Sequence, residues 1–319
     1  MKTYRAVTLG LPESGKTAYL SCAMSYLVRY DDKWQLQDAN RDFLNMMNDT
    51  EDIMQSGAWP DKTRSNNKLE FKVDGNAVTV TDWMGEMFEA LDDFEAYRDC
   101  SEEMKQQFRD SIRNATHLLI FIDGTTIQNN DTTKRIQRCL AGLQLMVEEF
   151  HKAGVESKKI AFIVTKCDEL TGIAPYCDST GAVSDELLLQ ALQKNFWIFF
   201  RYIKNVESWL SHKVYSVSCL PVKEHRRTTL NYGLVATDAW NANDMKEQVA
   251  PIADVCFYSK EEIGEDIEWG YWVVEWGWLI GWCIGWCIGG VSGGVGGWGI
   301  GCLIGLLIGD NLRALRQFL

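Results

Sequence analysis

The sequence predicts an α/β fold in which helices flank a mostly parallel β-sheet. A β-rich segment, Thr3–Leu9, leads through a glycine-containing loop into a helix-like stretch at residues 18–29. Further strand-like segments occur at residues 118–122 and 160–164, with helix-like sequence between them. Strands that are joined through helices lie parallel in one sheet. An Asp-Gly turn at residues 74–75, between two alternating segments, adds a β-hairpin and therefore an antiparallel strand.

Composition places the chain among globular proteins with a substantial core. It has 319 residues, of which 46% are hydrophobic, and a formal net charge of −12. This charge argues against a nucleic-acid partner, because such binding depends on neutralising phosphates with basic residues. Ten cysteines at irregular intervals, and a start without a long apolar run, favour a cytosolic domain with reduced thiols.

The loop after the first strand has the sequence GLPESGKT, residues 10–17, and matches the pattern G-x-x-x-x-G-K-S/T. Gly10 and Gly15 allow the chain to curl so that backbone amides face a phosphate, while the helix N-terminus adds partial positive charge. Lys16 is expected to reach the β- and γ-phosphates of a nucleotide, and the Thr17 hydroxyl group is expected to bind Mg²⁺. The predicted phosphate-binding residues are Gly10, Glu13, Ser14, Gly15, Lys16, Thr17 and Ala18.

A second motif, DWMG at residues 82–85, ends the second strand of the predicted hairpin. Asp82 at a strand end can hold Mg²⁺ through a water molecule. Gly85 has no side chain, so its amide can approach a γ-phosphate closely. The motif is weak by itself and gains weight from its place after the glycine loop.

Two further motifs follow later strands and have the chemistry of base recognition. The TKCD segment, residues 165–168, comes directly after the apolar residues 160–164. The Asp168 carboxylate can accept two hydrogen bonds from N–H groups of guanine, which adenine does not offer in that arrangement, and the Lys166 stem can cover the purine. Backbone amides of the SCL segment, residues 218–220, can meet guanine O6. The predicted base-binding residues are Thr165, Lys166, Asp168, Ser218, Cys219 and Leu220.

These four motifs, in this order, resemble those of Ras-like P-loop GTPases of the TRAFAC class over about residues 1–260. The resemblance implies a six-stranded sheet with one antiparallel strand, GTP or GDP as the ligand, and Mg²⁺ as the cofactor. The stretch AWPDKT, residues 58–63, and the long spacing from TKCD to SCL are similar to bacterial double-GTPase-type domains. Such domains often belong to bacterial conflict systems, so the resemblance implies a bacterial defence effector as one possible function.

The catalytic and metal-binding residues that the resemblance implies include one departure. Thr63 has the position of a switch threonine that closes on Mg²⁺ and the γ-phosphate, and a loop threonine in a polar linker is the alternative. Glu86 follows Gly85, where similar GTPases often have a glutamine that orients the attacking water. A carboxylate beside the γ-phosphate is electrostatically unfavourable, so slow hydrolysis of GTP to GDP and phosphate is expected. Two alternatives are that the Glu86 carboxylate itself positions the water, and that Glu86 is the first capping acid of a helix over residues 86–97. The predicted catalytic residues are Lys16, Thr63, Gly85 and Glu86, and the predicted metal-binding residues are Thr17, Thr63 and Asp82.

Three other features have structural interpretations that compete with functional ones. His117 precedes an apolar strand, which is more typical of a strand end than of a catalytic base. The pair Asp123-Gly124 can border a nucleotide or form a turn. The aromatic residues at positions 196–202 are expected to pack in the core, and an exposed partner groove is the alternative.

The C-terminal residues differ in composition from the rest of the chain. An acidic linker, residues 261–275, precedes residues 276–309, which carry no charge and have glycine at every fourth position from Gly277 to Gly309. One helix of that length is about 51 Å long, against a hydrocarbon core of about 30 Å, so a hairpin of two short arms is expected. Glycines four apart share a helix face and allow helices to pack closely. Residues 310–319 would then form a cytoplasmic tail. The alternative to a membrane-associating glycine zipper is a glycine-rich tail that packs on its own domain or is disordered.

The combined motifs predict a GTP-binding, slowly hydrolysing switch that controls a membrane-associating, oligomerising glycine zipper. The expected location is a cytoplasmic GTPase domain that its C-terminus attaches to a membrane. The expected partners are a lipid membrane, further copies of the chain and a regulatory protein, and not a nucleic acid. Two alternatives are a constitutive membrane-anchored scaffold with structural nucleotide and a housekeeping GTPase that the tail merely localises.

Overall fold

The computed structural model describes residues 2–36, 45, 48–49, 67–92, 100–218 and 248–255. All of them lie in the first of the two units of the chain, Met1–Cys256. Several predicted features lie outside the described residues: Thr63, Cys219, Leu220, the acidic linker and the glycine-rich segment. The division of the chain at residues 260, 275 and 309 therefore stays a prediction.

The described residues form seven strands with helices between them. The strands are β1 (Thr3–Leu9), β2 (Trp34–Leu36), β3 (Asn67–Val73), β4 (Asn76–Asp82), β5 (His117–Asp123), β6 (Lys158–Thr165) and β7 (Leu210–Ser216). The helices are α1 (Lys16–Tyr30), α2 (Gly85–Glu89), α3 (Glu102–Asn114), α4 (Asn130–Lys152), α5 (Asp185–Asn195) and α6 (Trp197–Asn205). Short 3-10 turns cover Ala90–Asp92, Gly124–Thr126 and Cys167–Leu170, and residues 250–255 are also helical.

One sheet contains these seven strands in the order β2-β3-β4-β1-β5-β6-β7. β1 pairs in parallel with both β4 and β5, and β6 and β7 continue in parallel beside β5. β3 is antiparallel to both of its neighbours, so among the described strands it alone runs against the others. The α/β class and the mostly parallel sheet are confirmed, whereas the predicted number of six strands is wrong. The additional strand, β2, has three residues, which are too few for a periodic sequence signal.

The hairpin predicted at residues 74–75 is confirmed. Val73 lies opposite Asn76 across the turn, and Asp74 and Gly75 have φ values of 48° and 75°. Both values lie in the left-handed region that a type I′ turn requires. The hairpin returns the chain along β1, so that Asp82 at the end of β4 lies level with the end of β1.

The centre of the sheet is buried, and helix α6 covers part of one face. Phe200 stacks on Phe162 of β6 with ring centroids 4.9 Å apart, and Phe199 meets the same ring edge-on at 6.2 Å. These aromatic residues therefore pack in the core, as expected. Trp197 differs from them, because 54% of its surface is exposed.

His117 begins β5 at the opposite end of the strand from Asp123. Its ring is buried, and its Nδ1 lies 2.8 Å from Thr116 Oγ1. Burial and the nearby charge of Lys159 lower the pKa of His117 to about 3, so the ring is neutral at pH 7. This histidine belongs to a strand end far from the loops that follow β1 and β6.

Residues 85–92, which we call the docked segment, comprise α2 and the following 3-10 turn and pack on helix α4. A Cβ atom at Gly142 would overlap the Leu91 carbonyl oxygen and lie 2.7 Å from its carbon, so only glycine allows this contact. Ion pairs flank the contact: Glu89 with Arg135 and Asp92 with Arg138. A helix over residues 86–97 was expected, and its described part is a short helix followed by a 3-10 turn.

We expect Gly142→Ala to lower the free energy of unfolding by about 1–3 kcal/mol, because the added methyl group overpacks the contact with Leu91. The sign of the stability change tests the contact, because at an ordinary helix position alanine is favoured over glycine by about 1 kcal/mol and the same substitution would raise stability. Urea denaturation measures the difference. Ala141→Ser, at an exposed position of the same helix, is the control and should change stability by less than about 0.5 kcal/mol. An unchanged or higher stability of Gly142→Ala would show that the contact is loose.

Candidate functional site

The loop between β1 and α1 curls tightly at its two glycines. A Cβ atom at Gly10 would lie 2.6 Å from the Phe121 carbonyl oxygen. Gly15 directly precedes α1 and has a φ of 79°, in the left-handed region that glycine adopts readily. A curled loop that leads into the N-terminus of a 15-residue helix is an arrangement that binds phosphate groups.

Lys16, the first residue of α1, folds back onto this loop. Its Nζ donates to the carbonyl oxygens of Gly10 at 2.9 Å and Leu11 at 3.2 Å, and the side chain is buried. A phosphate oxygen is a stronger partner for an ammonium group than these neutral carbonyls, because the bond is then charge-assisted on both sides. Lys16 Nζ therefore lies inside the curled loop, and its contact with the β- and γ-phosphates stays a prediction.

Pro12 and Glu13, which are bulky for a phosphate-binding loop, lie next to a cavity. With Leu11 and Ser14 they line a cavity of about 300 Å³ between the loop, the end of β5 and the start of α4. Glu13 is exposed and has a φ of 65°. Pro12 and Glu13 therefore lie on the side of the loop that faces this cavity.

The carboxylate of Asp82 lies between two threonine hydroxyl groups at the end of β4. Thr8 Oγ1 donates to Oδ1 at 2.6 Å, and Thr17 Oγ1 donates to Oδ2 at 2.8 Å. Burial raises the pKa of Asp82, and the Thr8 hydrogen bond, the Lys16 charge and the Thr17 hydrogen bond oppose this shift. The structure thus brings together the hydroxyl group and the carboxylate that were predicted to hold Mg²⁺.

The chemistry of these two residues fits a Mg²⁺ ion bound together with phosphates. Mg²⁺ takes oxygen ligands, keeps several waters, and is typically held by one or two protein oxygens plus phosphate oxygens. A cation near Asp82 would also offset the electrostatic cost of burying its charge. Thr63, the third predicted ligand, lies outside the described residues.

Gly85 begins α2 directly against the phosphate-binding loop. A Cβ atom at Gly85 would lie 2.6 Å from Pro12 Cα and 2.7 Å from the Leu11 carbonyl carbon, so no larger residue fits there. Glu86 follows and is half-buried. Gly85 therefore lies beside the loop as the first residue of the docked segment, and its contact with a γ-phosphate stays a prediction.

The TKCD segment after β6 is tied to the loop through two of its side chains. Thr165 Oγ1 donates to the Ser14 carbonyl oxygen at 2.7 Å. The Lys166 backbone has a φ of 55°, and its Nζ lies 2.6 Å from Asp123 Oδ2 and 3.2 Å from the Glu13 carbonyl oxygen. The segments predicted to bind phosphate and base are thereby held together.

Asp123 forms the predicted turn and also an ion pair with Lys166, while its place beside a nucleotide stays a prediction. Its Oδ1 accepts the Thr125 amide at 2.9 Å, which caps the turn after β5. Its Oδ2 forms the ion pair with Lys166, and only 13% of the Asp123 side chain is exposed. This pair holds the aliphatic stem of Lys166 in place beside the loop.

Asp168 lies beside the end of β7. Ser218 Oγ donates to Asp168 Oδ1 at 2.7 Å, and the Cys167 amide donates to the Val217 carbonyl oxygen at 3.2 Å. The Ser218 amide donates to Gln248 Oε1 at 2.9 Å, so Ser218 contributes its hydroxyl group to the site and not its amide. Gln248 was missed at the level of sequence, because neither a motif nor a strand end marks it.

We expect Asp82→Asn to raise the free energy of unfolding of the ligand-free protein at pH 7 by about 0.5–2 kcal/mol. The variant keeps an acceptor for Thr8 and no longer buries a charge. In the wild type, the raised pKa means that the folded state binds the proton more tightly than the unfolded chain. Stability therefore falls as the pH rises from 3.8 through the folded-state pKa, and the variant lacks this decline.

Urea denaturation at a series of pH values measures both effects. Asp131→Asn makes the same change of charge at an exposed position of α4 and serves as the control. A loss of stability in ligand-free Asp82→Asn would contradict the electrostatic cost assigned to this carboxylate.

Solved structures similar to this chain have low sequence identity. A bacterial selenocysteine-specific elongation factor is 12% identical, with a TM-score of 0.35, over 80% of this chain and 29% of its own. An ADP-ribosylation-factor-like GTP-binding protein from Encephalitozoon cuniculi in complex with GDP is 12% identical, with a TM-score of 0.34, over 82% and 83%. A small GTPase from Trypanosoma brucei with a bound nucleotide analogue is 12% identical, with a TM-score of 0.37, over 78% and 98%. The chain spans less than a third of the elongation factor's length.

A family comparison gives a more specific result. Residues 7–160, a little under half of the chain, match the sequence model of the Double-GTPase 1 family. The match includes the phosphate-binding loop and the DWMG motif, and it ends before the TKCD segment. Among curated proteins, none has a sequence similar to this chain. The family match, together with the geometry of the loop, Thr17 and Asp82, supports a P-loop GTPase domain.

Proposed function

We propose that this chain is a guanine-nucleotide switch that binds GTP and GDP with Mg²⁺ and hydrolyses GTP slowly. The observation that carries the proposal is the hydrogen bond from Thr165 to the Ser14 carbonyl group, which joins two half-sites. The phosphate half-site consists of the curled loop with Thr17 and Asp82. The base half-site is centred on Asp168.

The base half-site has the hydrogen-bonding chemistry of guanine. Guanine N1–H and the exocyclic amino group are adjacent donors, and one carboxylate accepts both. Adenine has a lone pair at N1, which a carboxylate repels. The bond from Ser218 orients the Asp168 carboxylate, and the Lys166 stem, held by Asp123, is available to cover the purine.

The phosphate half-site supplies positive potential where a nucleotide carries negative charge. The Lys16 ammonium group lies inside the loop, and the N-terminus of α1 adds its partial charge. Thr17 and Asp82 would hold Mg²⁺, which neutralises charge on the phosphates when it is bound. Gly85, packed against Pro12, would bring its amide to the γ-phosphate side of the loop.

Slow hydrolysis follows from the residue after Gly85. Glu86 is half-buried in the first turn of α2, and the γ-phosphate repels a carboxylate at this position. Lys16, Gly85 and Glu86 are the proposed catalytic residues, together with Thr63. The same glutamate favours the second candidate function, a constitutively anchored scaffold in which the nucleotide is structural and hydrolysis is negligible.

The proposal extends to the C-terminal residues on the strength of their sequence. Nucleotide state would control exposure and self-association of the glycine zipper, residues 276–309, at a lipid membrane. Among the helices in the described ranges, none combines the length and apolar character that a bilayer crossing needs, and residues 276–309 lie outside those ranges. The proposed setting is a bacterial defence effector that acts from the cytoplasmic side. Its proposed partners are further copies of the chain and a regulatory protein that sets the hydrolysis rate.

We expect Asp168→Asn to weaken GDP binding by at least about 100-fold, because two hydrogen bonds to a charged acceptor, each contributing about 1.5–3 kcal/mol, are lost. The asparagine amide can instead donate to the C2 carbonyl group of xanthine, so the variant should gain affinity for xanthosine diphosphate. Isothermal titration with GDP, xanthosine diphosphate and ADP measures both changes. Asp178→Asn, at an exposed position outside the site, is the control. An unchanged affinity of Asp168→Asn for GDP would contradict the proposal.

We expect the protein loaded with a non-hydrolysable GTP analogue to bind liposomes about tenfold more tightly than the GDP form, a coupling of about 1.4 kcal/mol. Co-sedimentation and light scattering measure binding and oligomer size. Lys16→Ala should remove the difference between nucleotides, and deletion of residues 269–319 should remove membrane binding while leaving nucleotide binding intact. Identical behaviour of the analogue-bound, GDP-bound and nucleotide-free forms would favour the scaffold.

A further inference from the structure

Gln248 connects the base half-site to the helix that follows the phosphate-binding loop. Its Oε1 accepts the Ser218 amide at 2.9 Å, and its carbonyl oxygen accepts the Tyr19 hydroxyl group at 2.7 Å. Tyr19 is fully buried and lies in the first turn of α1, close after Lys16. One residue, 30 positions beyond Ser218 in the chain, therefore contacts both Ser218 of the base half-site and the first turn of α1, which follows the phosphate-binding loop.

The chain around Gln248 is anchored independently of these two bonds. The apolar residues of this segment are buried: Val249, Ile252 and Val255. Asp254 Oδ2 accepts Lys213 Nζ at 2.9 Å and the Tyr215 hydroxyl group at 2.6 Å, which fastens residues 250–255 to β7. The backbone at Gln248 is therefore held in place, and its side chain reaches Ser218 from there.

The hydrogen bonds form a relay that ends at the Asp168 carboxylate. Ser218 donates its amide to Gln248 and its hydroxyl group to Asp168, the latter at 2.7 Å. Because both donors belong to one buried residue, fixing the amide restricts the positions from which the hydroxyl group can reach the carboxylate. The orientation of Asp168 therefore depends on an acceptor that does not itself contact Asp168.

We propose that Gln248 is a positioning residue for guanine recognition. By holding the Ser218 amide, it orients the Asp168 carboxylate toward N1–H and the amino group of guanine. This inference rests on the proposed function and deepens it. Gln248 acts through Ser218, so its effect is on base selectivity and not only on stability.

GDP and inosine diphosphate separate this role from a structural one. Inosine diphosphate keeps N1–H but lacks the amino group, so the ratio of the two dissociation constants reports how well Asp168 meets that group. Gln248→Met keeps the side-chain length and removes the acceptor, whereas Gln248→Glu keeps an acceptor oxygen. Calorimetric titration of the full chain with Mg²⁺ present measures the ratio.

We expect Gln248→Met to lower the preference for GDP over inosine diphosphate about three- to tenfold, because one well-oriented hydrogen bond to a charged group is weakened. Gln248→Glu should restore most of the preference. In a Ser218→Ala background, Gln248→Met should change the ratio no further, because the relay is already broken.

Asn195→Ala provides a matched control, since it removes a side-chain amide that donates to the Ile127 carbonyl oxygen at 3.3 Å, away from the base half-site. It should leave the ratio unchanged even where it lowers the melting temperature. If Gln248→Met melts far below the wild type, Gln248→Asn, which is too short to reach Ser218, replaces it with the same expectation.

An unchanged ratio in Gln248→Met, or an equal further loss in the Ser218→Ala background, overturns the inference. A wild-type protein that does not prefer GDP over ADP overturns the proposed function instead. The two failures are therefore distinguishable in one set of titrations.

Discussion

The position of β1 between β4 and β5 governs the arrangement of the whole candidate site. β1, β4, β5 and β6 are parallel, so their C-terminal ends reach the same edge of the sheet. The loop after β1 consequently meets Asp82 at the end of β4, Asp123 at the end of β5 and Thr165 at the end of β6. Segments that are distant in sequence converge because the sheet order, and not the sequence order, sets their neighbours.

Contacts to the backbone of the loop then join these strand ends into one unit. Gly10 packs on the Phe121 carbonyl group, Gly85 packs on Pro12, and Thr165 donates to the Ser14 carbonyl group. The docked segment adds a further constraint, because it is fixed to α4 at its other end by the ion pairs and by the contact at position 142. Gly85, which packs on the loop, and Leu91, which packs on α4, therefore belong to one short segment that is held at both of its ends.

Buried charged groups occur both in the candidate site and elsewhere in the fold, with different partners. Lys158 Nζ donates to the carbonyl oxygens of Arg113 and Ala115 at 2.8 and 2.7 Å, and so caps the C-terminus of α3, where a helix favours a cation. Burial lowers the pKa of Lys158 to about 8. The Asp82 carboxylate has two hydroxyl groups as hydrogen-bond partners and a raised pKa. Burial therefore disfavours the charged form of both groups, and at Asp82, beside the phosphate-binding loop, a bound cation would relieve this cost.

Elements and motifs that depend on a few neighbouring residues were predictable from the sequence alone. Alternation and apolar runs identified β1, β5 and β6, and the Asp-Gly turn identified the β3–β4 hairpin, because such signals act locally. The phosphate-binding loop was recognisable for the same reason, since its two glycines and Lys16 lie close together in the sequence, within residues 10–17. β2 was not predicted, because a strand of three residues is too short to show a periodic pattern.

Contacts between these parts could be seen only in the folded chain. The Lys166–Asp123, Ser218–Gln248 and Gly142–Leu91 contacts join residues from different elements, 43 and 30 positions apart in the first two cases. No local pattern specifies such pairs, because a hydrogen bond or a close backbone contact between distant residues depends on the path of the chain through the sheet. The chemistry of the candidate site was therefore predictable from its motifs, while the hydrogen bonds of its carboxylates and the position of Gln248 beside Ser218 were visible only in the fold.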